Sequence, residues 1–173
     1  FGINLIQFCL AAYLVHTFQF SVSQISIQVV LFSTFFVLTN GLFIPWLSKK
    51  IKIHSIIIPG LIGLMATSLL LAFITNPAWL YPVMILWGIA NGCIYGGFFP
   101  TISNAIPHNI QGTVMGTLWS INALAQVIEP SASGWLLNIN YRLPFEIGSL
   151  FCLIAIISFF IWIRINPKGQ QHV

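Results

Sequence analysis

Long apolar runs alternate with short polar breaks along this chain. The runs cover about residues 1–18, 23–47, 53–74, 80–102, 110–137 and 145–163. They are separated by QFSVSQ, SKKIK, TNPAW, SNAIPHN and NINYRLP, and the last one ends at RINPKG. Each run is close to the roughly 20 apolar residues that a helix needs to cross a bilayer. Pro and Asn stand in nearly every break, where a helix has to stop. Lipid offers no hydrogen-bond partner, so each crossing segment must satisfy its backbone internally. The pattern therefore predicts an all-α integral membrane protein with six transmembrane helices.

Composition agrees with the pattern. The 173 residues are 58% hydrophobic and 5% charged, against about 25% charged in soluble domains. A soluble fold of this length could not keep so much apolar surface from water. The net charge of +4 is no nucleic-acid footprint, because basic residues do not interleave with the aromatic ones. It is read as a topology signal. Lys49, Lys50 and Lys52 lie after the second run, Arg164 and Lys168 after the sixth, and Arg142 alone on the other side. The excess of positive charge predicts that both ends of this segment are cytoplasmic, with a bacterial inner membrane as the expected location. Trp79, Trp135 and Tyr141 fall near the outer ends and Trp46 and Trp162 near the inner ends, as interfacial anchors do. Phe1 opens directly on an apolar run with no basic leader, which is not a signal peptide. The chain is expected to be a piece of a longer protein, with an N-terminal half missing.

Little in the chain points to chemistry. Cys9, Cys93 and Cys152 each sit in an apolar run without a CxxC partner or a histidine at metal spacing, and read as small apolar residues. There is no Ser–His–Asp set, metal cluster or phosphate loop in the sequence. No enzyme, cofactor or metal is expected.

Polar residues are unevenly shared. Asn4, Gln7 and His16 lie in the first run, Gln28, Thr34 and Asn40 in the second, Asn91 and Tyr95 in the fourth, and Asn122, Gln126 and Glu129 in the fifth. The third has only Thr67 and Ser68 in its middle, and the sixth only Ser149 and Ser158. Amides and carboxyls inside a bilayer face protein or water. Runs one, two, four and five are thus expected to enclose a cavity, with three and six outside and facing lipid nearly all round. Trp119, Asn122, Gln126 and Glu129 share one helical face by spacing, as do Trp87, Asn91 and Tyr95. Gly112 and Gly116 mark a neighbouring stripe in the fifth run, and Gly88, Gly92 and Gly96 in the fourth. Small residues at this spacing let helices approach closely. The glycine faces are expected to pack and the polar faces to line a substrate cavity, although amides of this kind also serve simply to bond helices together. The order polar, polar, apolar occurs twice, with opposite topology, as in an inverted 3+3 repeat.

Glu129 is one of two acidic residues in the chain. Three readings compete: an interface residue, a neutral structural group bonded to a neighbouring helix, or a group that exchanges protons or pairs with a cationic substrate. It lies about 12 Å inside the end of its run at 1.5 Å per residue, which is deep for an interface residue. Pro130 follows it, lacks an N–H and disfavours helix at the residue before, so a kink is expected there. His16 reads as a hydrogen-bonded structural residue. Glu146 reads as a carboxylate favouring a helix N-terminus.

Three stretches resemble the C-terminal half of a major facilitator superfamily transporter, nearest the tetracycline-type and multidrug:proton antiporters. FQFSVSQISIQVVLFSTFFVLTNGLFIPWLSKKIKIHS is similar to the region from the end of helix seven to the eight–nine loop. NAIPHNIQGTVMGTLWS is similar to the ten–eleven loop, and VIEPSASGW to the second half of helix eleven. Two departures stand out. Lys49, Lys50 and Lys52 keep the basic loop's charge without its Asp and Gly, and Glu129 stands where Gly is common. The resemblance implies half of a twelve-helix fold that works by alternating access, as a proton-coupled exporter of hydrophobic or cationic drug-like molecules. A metabolite uptake permease and a non-transporting, self-associating six-helix module are the alternatives. The expected partners are the bilayer, a small-molecule substrate, protons and the missing half, with no nucleic acid.

Overall fold

The computed structural model describes residues 2–51 and 53–165; Lys52 and Lys168 lie outside the described residues, as do the side chains of His54 and Trp162. Among the described residues the structure is helical, without strands. Six long helices follow one another: α1 Gly2–Phe18, α2 Val22–Leu47, α3 Ile57–Phe73, α4 Leu80–Ala105, α5 His108–Ile139 and α6 Leu143–Ile165. Val22–Leu47, Pro77–Ala105 and Leu143–Ile161 are long and apolar enough to cross a membrane, and α1 and α3 supply shorter apolar helices. The longest helix, α5, has 32 residues and is the most polar of the six. Together these helices make the chain an integral membrane protein.

Local sequence accounts for the helix ends. α1 stops where Gln19 takes a left-handed backbone, φ 52°, and Ser21 caps α2 in a reciprocal box with Gln24. Asn76 caps the short turn ahead of α4 by accepting from the Ala78 N–H. α3 begins at Ile57, with the Ile53–Ile56 turn ahead of it. α2 carries a π turn at Thr39–Phe43, where the Ile44 N–H reaches back five residues to the Thr39 carbonyl.

The packing is organised around α4. Its Gly88, Gly92 and Gly96 meet α2 so closely that a Cβ on Gly88 would stand 2.5 Å from the Phe32 carbonyl oxygen, and one on Gly92 2.6 Å from Thr39. Contact partners rise together in number, from Gly88 with Phe32 to Gly96 with Ile44, so α2 and α4 run parallel. On another side of α4, Ala90 and Cys93 meet Gly60 and Gly63 of α3 in the antiparallel sense. α1 pairs with α5 and α6, and α3 with α6. Tyr13 of α1 locks this second group: its hydroxyl donates to the Leu71 carbonyl at 2.7 Å, and its ring packs on Phe145 at 4.7 Å.

Two expectations about the helices are corrected. α3 does not face lipid nearly all round: Ile57, Leu61, Leu64, Ser68 and Leu71 form a buried stripe along it. Thr67 and Ser68 bond to carbonyls of their own helix, so hydropathy could not distinguish a protein-facing from a lipid-facing apolar helix. Conversely α2 buries only Gln28, Thr39 and Ile44, and α5 only Glu129 and Ser133. Pro130 lies inside a helix that continues to Ile139. It removes one backbone donor, opposite the Gln126 carbonyl, without ending the helix.

The α2–α4 contact yields a test. Gly88→Ala forces Cβ into the Phe32 carbonyl and is expected to cost about 1–3 kcal/mol, the usual penalty for overpacking. Gly41→Ala on the outer side of α2, where an added Cβ meets nothing within 4 Å, is expected to be neutral. Thermal unfolding in detergent separates the two.

Candidate transport cavity

A cavity of about 400 Å³ opens among five helices. Ile3 of α1, Ile57 and Leu61 of α3, Tyr95 and Phe99 of α4, Trp119 and Asn122 of α5 and Phe159 of α6 are among the residues lining it. Its character is aromatic. The Trp119 and Phe99 rings stack with centroids 5.1 Å apart and planes 7° apart. Tyr95 packs beside Phe99 and edge-on to Phe36. Asn122 is the one amide in the wall among the described residues. α2 contributes nothing to this lining, against the expectation that helices one, two, four and five would enclose the space. Docking α2 on the glycine face of α4 puts Thr39 and Asn40 into the packing instead, while Thr34 is exposed.

The candidate residues divide into three groups. Tyr95, Trp119 and Asn122 line the cavity. Gln28, Trp87 and Asn91 are completely or almost completely buried in the packing; the Asn91 amide donates to the Trp87 carbonyl one turn back, at 2.9 Å. The Trp87 ring packs tilted against Phe32, with centroids 4.6 Å apart. Gln7 and Gln126 are exposed on the surface of the chain. The glycines divide as well: Gly88, Gly92 and Gly96 are in close contact with α2, whereas an added Cβ at Gly112 or Gly116 meets nothing within 4 Å. By spacing alone the two glycine stripes are alike. Only the tertiary arrangement separates them.

Asn4, Asn122 and Glu129 come together at the α1–α5 seam. The Asn4 amide donates to the Asn122 side-chain oxygen at 3.3 Å, and Asn4 also neighbours the Glu129 carboxyl. Glu129 is fully buried. One turn further along, the Cys9 thiol faces the Ser133 carbonyl at 3.9 Å. The pairings Asn4 with Asn122 and Cys9 with Ser133 make α1 and α5 parallel. Glu129 is near enough to Tyr95 to act on it electrostatically. A carboxyl group, two amides and a phenol thus run from the buried seam to the cavity wall.

The remaining expected residues lie away from this seam. His16 stacks on Tyr141 with centroids 3.6 Å apart. Glu146 sits in the first turn of α6, where a carboxylate offsets the partial positive charge of the helix start. Lys49 and Lys50 are exposed past the end of α2, and the Lys50 ammonium sits 4.1 Å from the Trp46 ring centre. The three cysteines are buried free thiols. Sequence reasoning passed over Phe99, Phe159 and Tyr13. With 15 phenylalanines in the chain, no pattern singles out Phe98, Phe99 and Phe159, which reach the cavity, and the spacing of Tyr95 and Phe99, one turn apart, was the available signal.

The Asn4–Asn122 bond can be measured directly. A double-mutant cycle with Asn4→Ala and Asn122→Ala is expected to give a coupling of about 0.6–1.7 kcal/mol in unfolding, the range for side-chain hydrogen bonds between membrane helices. Additive single effects would mean that the bond does not form.

The comparison with known proteins agrees with this architecture. No curated protein sequence matched the chain. The family model described as Major Facilitator Superfamily matches residues 1–173, the whole length. The chain therefore belongs to the Major Facilitator Superfamily, the secondary transporters of the membrane.

Proposed function

We propose that this chain is the second six-helix half of a twelve-helix, alternating-access transporter that exports hydrophobic or cationic drug-like molecules in exchange for protons. One observation carries the proposal: a fully buried acid, Glu129, is linked through Asn4 and Asn122 to the wall of an aromatic cavity. Aromatic faces attract cations and flat apolar solutes. Among the described residues the wall holds no Lys or Arg, the residues that anionic phosphate substrates usually require. A carboxyl inside a membrane protein is a natural proton carrier, since taking up and releasing one proton switches its charge. Asn4 is placed to sense that switch. An ionised Glu129 accepts the Asn4 amide protons, and a neutral one leaves them to Asn122.

The helix pairings support the inverted repeat. Exchange of α1, α2 and α3 with α4, α5 and α6 converts the α2–α4 pair into α5–α1, converts α3–α4 into α6–α1, and returns α3–α6 to itself. All of these are main contacts of the fold. The exposed Gln7 and Gln126, with Gly112 and Gly116, are then the surface on which the other half closes. In this reading α2 and α6 end in the cytoplasm of a bacterium, where Lys49, Lys50 and Arg164 obey the positive-inside rule.

The test uses the full-length gene in cells stripped of their own efflux pumps. Accumulation of a fluorescent hydrophobic cation is followed with and without a protonophore. Expression is expected to lower accumulation, the protonophore to restore it, and Glu129→Gln to abolish the effect at normal membrane levels. Protonophore-sensitive export that survives Glu129→Gln would remove Glu129 from the coupling path. No export at all would favour an uptake permease.

A further inference from the structure

A second concavity lies on the face of the molecule away from the cavity. It is an open apolar groove of about 590 Å³, lined on α2 by Phe35, Leu38, Thr39, Leu42, Phe43 and Trp46, with Ile89 of α4 as its floor. The side of α4 that meets α2 carries Gly88 and Gly92, and the side that meets α3 carries Ala90 and Cys93. At 100° per residue, Ile89 falls between these sides. Tyr95, which faces the cavity, falls on the opposite flank of the α2 contact. The groove therefore runs along α2 on the flank of the α2–α4 contact away from Tyr95, with α2 as its wall and α4 as its floor.

Two features distinguish this groove from ordinary lipid-facing surface. Its middle is the π turn Thr39–Phe43, which supplies three of the lining residues. π turns inside α-helices are frequent at functional sites. Its end is charged. Trp46 belongs to the lining, and the Lys50 ammonium rests on the Trp46 ring at 4.1 Å. Lys49 is exposed beside it. Among the described residues, Glu146 on α6 is the acidic residue other than buried Glu129, and it belongs to a different concavity, with Met65 and Leu69. From Phe35 to Trp46 the groove runs about 16 Å at 1.5 Å per residue, close to the extent of a lipid acyl chain in one leaflet, about half of a 30 Å hydrocarbon core.

We propose that this groove is a binding site for an anionic phospholipid, with one acyl chain along the π turn of α2 and the headgroup phosphate held by Lys50 and Lys49. An apolar trough that ends in cations at the membrane surface matches that ligand at both ends. A zwitterionic lipid fills the trough equally well, but its own cation opposes the two lysines. The site is separate from the transport cavity and does not depend on what that cavity carries.

The experiment uses the full-length protein in detergent. Thermal unfolding is measured with added phosphatidylglycerol or with phosphatidylcholine of the same acyl chains. Phosphatidylglycerol is expected to stabilise the wild type at lower concentration. Lys49→Gln with Lys50→Gln is expected to weaken that effect by about fivefold per lysine, from the roughly 1 kcal/mol that each basic residue contributes near an anionic surface. Leu42→Trp, at an exposed position of the lining, is expected to fill the trough and weaken both lipids alike. Equal stabilisation by the two lipids, or a phosphatidylglycerol preference that survives the lysine substitutions, would overturn the headgroup assignment. Lipid effects unchanged by Leu42→Trp would overturn the groove, as expected if another part of the protein covers it.

Discussion

The contact between the glycine face of α4 and the backbone of α2 sets the positions of everything else. Between helices in a membrane there is no apolar-burial advantage over lipid, so close van der Waals packing has to hold them together. Gly88, Gly92 and Gly96 provide it by removing side chains where Phe32, Thr39 and Ile44 arrive. With α2 held there, the other flanks of α4 remain for two uses. Ala90 and Cys93 receive α3, and Tyr95 and Phe99 turn toward the cavity. The outward groove runs beside this contact, along α2 with Ile89 of α4 as its floor.

The α1–α5 seam works differently. Its helices meet through polar groups, with Asn4 bonded to Asn122 and Cys9 facing the Ser133 carbonyl. α5 is otherwise little buried, with Trp119, Leu124, Val127 and Trp135 more than half exposed. A glycine-packed pair is rigid because its backbones touch. A pair held by a few side-chain bonds can shift at lower cost. On its other flank α1 is held to α3 and α6, where Tyr13 donates to the Leu71 carbonyl and packs on Phe145. The acid, Glu129, belongs to this polar seam, buried beside Asn4.

The chain by itself determined that it forms helices, how many and in which order, because lipid leaves a backbone no other solution and the polar breaks mark the ends. It determined the glycine stripe of α4, and it marked Glu129 as unusual, since an acid in an apolar run is costly wherever the helix packs. The tertiary structure alone decided which stripes are used. Gly112 and Gly116 have the same spacing as Gly88 and Gly92, yet an added Cβ there would meet nothing within 4 Å among the described residues. Gln28 and Asn122 are both amides in apolar runs, yet one is buried in packing and the other lines the cavity. Helical spacing fixes the angle of a residue around its own axis. Which neighbour lies at that angle depends on how all six helices pack together, and no single run of sequence contains that information.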